Sequence, residues 1–297
     1  MKAQELTRWQ PDAAELTDTD TDTEPAYAGT AAELAHTDSG GDGEPVLLIH
    51  GGGLADWFTP MAADPALRRN RVIRLVRAGY TDAPAPAGLT IADHARHTAA
   101  LLRHHRAAPA HVVAHSSGSA IALQLAIDNP AAIRTLSLCE PPLIDTLTDP
   151  TDHEWLRTAF GPVLGSVMAA IARGDLPAAF DAFMTLVCGP DHRRVMTDTL
   201  GAAVVEEAAS NCAYFFTEEA VSLTAWTVTP EALTGLRAPV LLVQGSDSPP
   251  PVHRLITHLA GLIPGSAIAT IGGANHLMPL TAPAELARVI DGFSGTH

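Results

Sequence analysis

The stretch from His111 to Ile127, H-V-V-A-H-S-S-G-S-A-I-A-L-Q-L-A-I, limits the possible folds more than any other part of this chain. Val112, Val113 and Ala114 read as the end of an inner strand, because consecutive apolar residues suit a strand covered on both faces. Ser119 to Ile127 read as a helix with few polar interruptions, which should therefore lie under a sheet. Only a few residues remain for the turn between them. A strand that becomes a helix so abruptly needs small residues around its tip, and bulk at Ala114 or Gly118 is expected to clash across the turn. Ser116 is lifted to the tip, above the sheet. The amide of Ser117 is left near a helix N-terminus, where partial positive charge collects.

The rest of the chain repeats this alternation. Strands are expected at Val46–His50, Arg71–Val76, Ile133–Cys139, Val240–Val243 and Ala267–Ile271. Helices are expected at Phe58–Arg69 (broken near Pro65), Thr90–His105, Val252–Leu262 and Pro283–Phe293. Strands and helices in turn imply an α/β fold: a mostly parallel central sheet with helices on both faces. The 297 residues are enough for one such domain and an insertion. The insertion is expected at 143–231, where the sequence reads as helices near 152–173, 175–187, 190–211 and 213–226 without a convincing strand. It reads as a helical cap over the strand ends. The expected organisation is an acidic, flexible arm over 1–22, core over 23–142, cap over 143–231 and core again over 232–297. Two short strands are expected between Tyr27 and Thr37.

Composition removes several functional classes. A net charge of −15 argues against binding a nucleic-acid backbone or an anionic membrane surface. No run of 18 apolar residues suggests a membrane span, and the N-terminus has no apolar signal-like run. Cys139, Cys188 and Cys212 have neither paired nor metal-ligand spacing, which fits a reducing cytoplasm. Fourteen histidines include no H-E-x-x-H pattern, so neither a metal nor another cofactor is expected. The expected partner is a small-molecule substrate, and the chain is expected as a monomer or homodimer.

A-H-S-S-G at 114–118 matches the small-x-Ser-x-Gly pattern of a nucleophile elbow. A serine hydroxyl is a poor nucleophile at neutral pH and needs a base, usually a histidine whose tautomer is held by an acid. His276 follows the last expected strand in a Gly-rich loop and comes after Ser116 in chain order. His50 is expected to brace the glycine loop. Backbone amides of Ser117 and of Gly52 or Gly53, after the strand ending at His50, could receive developing negative charge. The three glycines at 51–53 do not have the spacing of a nucleotide-binding loop.

H-G-G-G at 50–53, R-A-G-Y-T at 77–81, A-H-S-S-G at 114–118, C-E-P-P at 139–142, P-V-L-L-V-Q-G-S-D-S at 239–248 and N-H at 275–276 together resemble the α/β-hydrolase superfamily, serine-nucleophile branch. The resemblance covers roughly 30–295. It implies Ser116 as nucleophile, His276 as base, and hydrolysis of an ester, lactone or related acyl bond. The acid stays open at this point. The resemblance points to the loop after the Val240–Val243 strand, where its usual place falls on Ser248 and Asp247 stands one residue early. It also points to the end of the strand after the elbow helix, where Glu140 stands. Trp57 is expected at the pocket mouth, Tyr80 as a brace for the adjacent loop, and Phe160, Phe183 and Phe215 as pocket lining, although cap packing explains these aromatics equally well. The same fold also hosts perhydrolases, acyltransferases, cofactor-free oxygenases and binding scaffolds.

Overall fold

The apolar runs all pair within one sheet. The computed structural model describes residues 5–12, 14–16, 30–147 and 149–297. Eight strands are formed by β1 (Thr7–Trp9), β2 (Leu34–Asp38), β3 (Pro45–Ile49), β4 (Arg71–Val76), β5 (Ala110–His115), β6 (Ile133–Cys139), β7 (Val240–Gly245) and β8 (Ala267–Ile271). Their spatial order is β1-β2-β4-β3-β5-β6-β7-β8. From β4 to β8 every neighbouring pair is parallel, and β1 and β2 complete one edge in antiparallel pairing. This is the mostly parallel sheet the alternation implied.

The strands read as continuous apolar runs because both faces are covered. Leu47, Ile49, Val112, Ala114, Leu136, Leu138, Val240 and Leu242 face one cluster, with the helices Ile91–His104, Gly118–Asp128 and Pro250–Leu262. The alternate residues Val46, Leu48, Val113, Leu241 and Val243 face the other, against Phe58, Met61 and the helix Pro283–Ser294. Successive side chains of a strand point to opposite faces, so two buried faces leave no polar alternation to read.

Several local expectations change. The first arm is not wholly without structure: Thr7–Trp9 pairs with β2, and Trp9 packs against the core. The Asp/Thr patch from Thr17 to Thr23 and the start of the expected hairpin at Tyr27 lie outside the described residues. The single helix expected over 58–69 is instead three short turns, Ala55–Phe58, Thr59–Ala62 and Pro65–Leu67. The helix expected over 190–211 is two, His192–Leu200 and Ala202–Ser210. Gly201, at φ +91°, ends the first, since a glycine takes this backbone conformation without a Cβ penalty.

The segment between β6 and β7 is helical as expected, with long helices at Pro150–Ala172 and Leu176–Cys188. Phe180, Met184, Cys188, Met196, Val205 and Cys212 of this insertion share one cluster with Leu54 and Trp57 of the glycine loop and Leu277 and Leu280 after His276. The insertion is therefore packed on two loops at the C-terminal edge of the sheet. Pro150–Ala172 is long and apolar enough by length and composition to cross a membrane, and little of its most apolar window is buried. Its Asp152 carboxylate nevertheless accepts a 2.6 Å hydrogen bond from Arg254 of the core. The three cysteines are free and buried.

Buried histidines give the fold an acid sensitivity. Burial holds His36, His50, His94, His97, His105, His111 and His115 below their ordinary value, His36 down to about 4. The unfolded chain takes up these protons as pH falls through about 6.5, while the folded chain does not. Stability is therefore present above that value and is lost as pH falls toward the folded values. The loss is about 1.4 kcal/mol per pH unit for each histidine protonated only when unfolded. The urea midpoint is expected to fall clearly between pH 6.5 and 5.5, before carboxylates titrate. A midpoint that stays flat down to pH 5 contradicts this account.

Candidate active site

The tip of the elbow is strained in the way an exposed serine requires. β5 ends at His115, Ser116 takes φ +51°, and the helix begins at Gly118. A non-glycine residue in this left-handed region carries a conformational cost that the surrounding fold must offset. The Ser116 amide donates to the Cys139 carbonyl of β6 at 3.0 Å. The need for small residues has a different cause from the one expected. A Cβ on Gly118 would lie 2.5 Å from the His50 carbonyl oxygen and 2.7 Å from that of Ile49, so the clash is with neighbouring β3, not across the turn with Ala114. Gly51 packs from the other side: its Cβ would come within 3.0 Å of the Ser116 Cβ. The glycine loop and the elbow are thus in direct contact.

Of the two candidate acids, the structure brings one to the histidine. Glu140 follows β6 directly, in a left-handed conformation at φ +46°. Its Oε2 lies 2.7 Å from His276 Nδ1. Its Oε1 accepts from the Gly245 amide at 3.0 Å and from the Ser248 hydroxyl. Burial alone would push this carboxyl up. The hydrogen bonds from His276, Ser248 and Gly245, with the attraction of the imidazole, outweigh it and hold the group below its ordinary value. The carboxylate is therefore kept charged in a nearly buried place. Asp247 is elsewhere: it is exposed, and its Oδ1 accepts from Ser246 at 2.8 Å. The register offset in the sequence has a physical meaning, since Ser248, at the position where an acid was sought, serves as a hydrogen-bond donor to Glu140.

His276 stands beside the elbow. The His115 ring donates from Nε2 to the His276 carbonyl at 3.0 Å, and the two rings are 4.5 Å apart. Ser116, the residue after His115, is partly exposed. Among the described residues no hydrogen bond joins the Ser116 hydroxyl to the His276 ring. Nδ1 is engaged by Glu140, which leaves Nε2 as the nitrogen that could receive the serine proton. Serine–histidine contacts in unliganded sites are often long and tighten with substrate.

The amide donors divide in the same way. Gly53 donates its amide to the Tyr80 hydroxyl at 2.9 Å and so is not free to face an oxyanion. Tyr80 is thus the loop brace expected. Gly52 and Ser117 remain as candidates, with Gly51–Gly53 against the elbow. His50 braces the loop by donating from Nδ1 to the Gly51 carbonyl at 2.7 Å, and accepts from the Arg77 amide at 3.1 Å.

The aromatic residues take three positions. Trp57 is buried and does not stand at a pocket mouth; its indole N–H donates to the Gly52 carbonyl at 3.1 Å, and its ring lies 4.6 Å from that of His115. An indole with its N–H satisfied inside the protein is held there as a brace. The Phe183 and Phe215 rings meet at 4.9 Å, tilted by 59°, and the Phe215 ring lies over Gly52, where an added Cβ would be 2.2 Å from it. Phe160 makes its ring contact with Trp155 at 6.1 Å, on the long helix of the insertion. A cavity of about 870 Å³ reaches Gly53 and Tyr80 from the side of Arg74 and Tyr214, and neither Ser116 nor His276 lines it.

Sequence reading missed a buried polar group beside this site. Glu219, on the insertion, accepts from Arg77 Nη2 at 3.0 Å, from the Ser117 hydroxyl at 2.6 Å and from the Tyr80 hydroxyl. Both charged side chains are essentially inaccessible. An arginine directly after an inner strand was the available signal, because a buried charge needs a partner. Among the described residues there is no cluster of His, Cys, Asp and Glu that could hold a metal.

Comparison with known proteins agrees with this architecture. The pattern of the alpha/beta hydrolase family matches residues 46–289, and the chain belongs to that family. It is 27% identical over 269 residues to the magnesium-chelatase 30 kDa subunit of Rhodobacter capsulatus, covering 86% of this chain and 88% of that protein. It is 36% identical over 105 residues to the dihydrolipoyllysine-residue acetyltransferase component of the acetoin cleaving system of Cupriavidus necator. That match spans only 34% of this chain and 28% of that relative. Among solved structures, a thermophilic esterase from Thermogutta terrifontis superposes with a TM-score of 0.72 at 19% identity, over 91% of this chain and 96% of the other.

Proposed function

We propose that the chain is a serine hydrolase that cleaves an ester, lactone or related acyl bond of a small, apolar molecule. The observation that carries this reading is the 2.7 Å contact between Glu140 Oε2 and His276 Nδ1, beside a strained Ser116. In this mechanism the Ser116 hydroxyl oxygen attacks the acyl carbon and its proton passes to His276 Nε2. The amides of Gly52 and Ser117 bear the oxyanion charge. The bond to the leaving alcohol breaks as that alcohol takes the proton from His276. A water then gives its proton to His276, attacks the acyl-serine and releases the acid, and Ser116 regains its proton. Glu140 holds the imidazole tautomer and stabilises the imidazolium. No cofactor enters these steps.

The helical insertion serves as the cap, with Phe183 and Phe215 against the acyl group. The protein's charge of −15 disfavours strongly anionic substrates. Hydrolysis of p-nitrophenyl acetate, butyrate and octanoate tests the reading. Turnover by the wild type and none by His276→Ala is expected. Equal rates for both proteins on all three esters count against it.

A second reading, a non-hydrolytic or binding role, is favoured by the Phe215 ring packed directly against Gly52, one of the two candidate amide donors. The relative covered nearly end to end carries the name of a magnesium-chelatase subunit, not of a hydrolase. Absence of ester turnover combined with retained folding would favour this reading.

A further inference from the structure

We infer that Glu219 is a positioning residue: it ties both loops that would flank the oxyanion to the helical insertion, so that the acyl-transfer site is assembled only while the insertion is docked. This inference rests on the serine-hydrolase reading.

The argument follows the peptide planes. A trans peptide fixes its N–H opposite its C=O, so whatever holds one end aims the other. The Gly51 carbonyl accepts from Arg77 Nη2 at 3.1 Å and from His50 Nδ1 at 2.7 Å. These two bonds therefore set the direction of the Gly52 N–H. The next peptide is pinned at both ends, its Gly52 carbonyl by Trp57 Nε1 at 3.1 Å and its Gly53 amide by the Tyr80 hydroxyl at 2.9 Å. Arg77 and Tyr80, one bracing each peptide, both donate to Glu219. The Ser117 hydroxyl donates to the same carboxylate at 2.6 Å, which fixes the residue whose amide is the other candidate donor. A single side chain thus gathers every brace of the two donors except His50 and Trp57.

The carboxylate is on the insertion, while all three groups that donate to it are on the core. Glu219 closes a π-helical turn, Phe215–Glu219, and such turns are frequent at functional sites. The first residue of that turn is Phe215, whose ring covers Gly52. Lifting the insertion would strip the Arg77 guanidinium of its counter-charge and release Tyr80 and Ser117 together. Among the described residues, two of the Arg77 nitrogens, Nε and Nη1, have no hydrogen-bond partner. A buried guanidinium so sparsely bonded depends strongly on one carboxylate. For packing alone an apolar pair would serve as well, whereas this arrangement transmits the insertion's position to the two amides.

Glu219→Gln in the full-length chain tests the inference, with p-nitrophenyl acetate as substrate and a thermal melt to correct for the folded fraction. The expected result is a kcat at least ten-fold lower with KM within two-fold of wild type, because the lost alignment matters where charge develops and not in the bound ester. Fluorophosphonate labelling of Ser116 should slow in parallel. Ser117→Ala and Tyr80→Phe remove one donor each and leave the Arg77 charge paired. They should lower kcat about five-fold at unchanged KM, and they decide the matter if Glu219→Gln does not fold. Wild-type kcat per folded molecule in these variants, or a higher KM at unchanged kcat, overturns the inference while the hydrolase reading stands. A wild type that neither hydrolyses the ester nor takes the label overturns both.

Discussion

Replacing Ser116 with alanine is expected to lower kcat for a p-nitrophenyl ester by about 10⁴- to 10⁶-fold, to the level left by binding and backbone amides alone. The substitution removes one oxygen that among the described residues makes no hydrogen bond within the protein, so folding should not suffer. The left-handed backbone at φ +51° persists in the variant, so its cost is the same in both proteins. The loss should therefore appear in kcat at a nearly unchanged melting temperature. Ester turnover by Ser116→Ala within ten-fold of wild type would mean that some other group carries the chemistry.

Glu140→Gln is expected to lower kcat about 10³- to 10⁴-fold, while Asp247→Asn should stay within three-fold of wild type. The contrast follows from what each carboxylate touches. Glutamine has one acceptor oxygen where Glu140 uses two; with that oxygen on the Gly245 amide, its NH2 faces His276 Nδ1 and cannot accept from it, so the ring turns or adopts the other tautomer. Asp247 gives up only a bond from Ser246 at the surface. A loss for Asp247→Asn as large as that for Glu140→Gln would count against this assignment. Stability supplies a second check. The Glu140 carboxyl titrates below its ordinary value in the folded chain, so its ionised form stabilises the protein above the unfolded value of about 4.3. That contribution is lost as pH falls through the lowered folded value. The urea midpoints of wild type and Glu140→Gln should thus differ by a constant amount near neutral pH and converge below about pH 4.

The central sheet was legible because two covered faces force long apolar runs, and Val112–Ala114, Leu136–Leu138 and Val240–Val243 have no other use. The elbow was legible because few residues can turn a strand into a helix so sharply. What could not be read were contacts set by three-dimensional approach. The choice between Glu140 and Asp247 depends on which carboxylate the Gly245–Ser248 loop brings to His276, and that loop delivers the Ser248 hydroxyl to Glu140. Trp57 looked like a rim residue because nothing in the sequence discloses that its N–H meets the Gly52 carbonyl. Gly53 looked equivalent to Gly52 until Tyr80 was seen to engage its amide. Glu219 sits 142 positions from Arg77, and no local pattern pairs them. The split at Gly201 and the π-helical turn at Phe215–Glu219 were hidden by an apolar periodicity that is nearly the same for intact and interrupted helices.

The account depends on a nucleophilic oxygen at Ser116 activated by His276, and peptide mapping by mass spectrometry after exposure to a fluorophosphonate probe tests this directly. One phosphonyl adduct on the peptide containing Ser116 is predicted, absent in Ser116→Ala and strongly slowed in His276→Ala. A folded wild-type protein without an adduct, or with its adduct on another residue, would contradict the account.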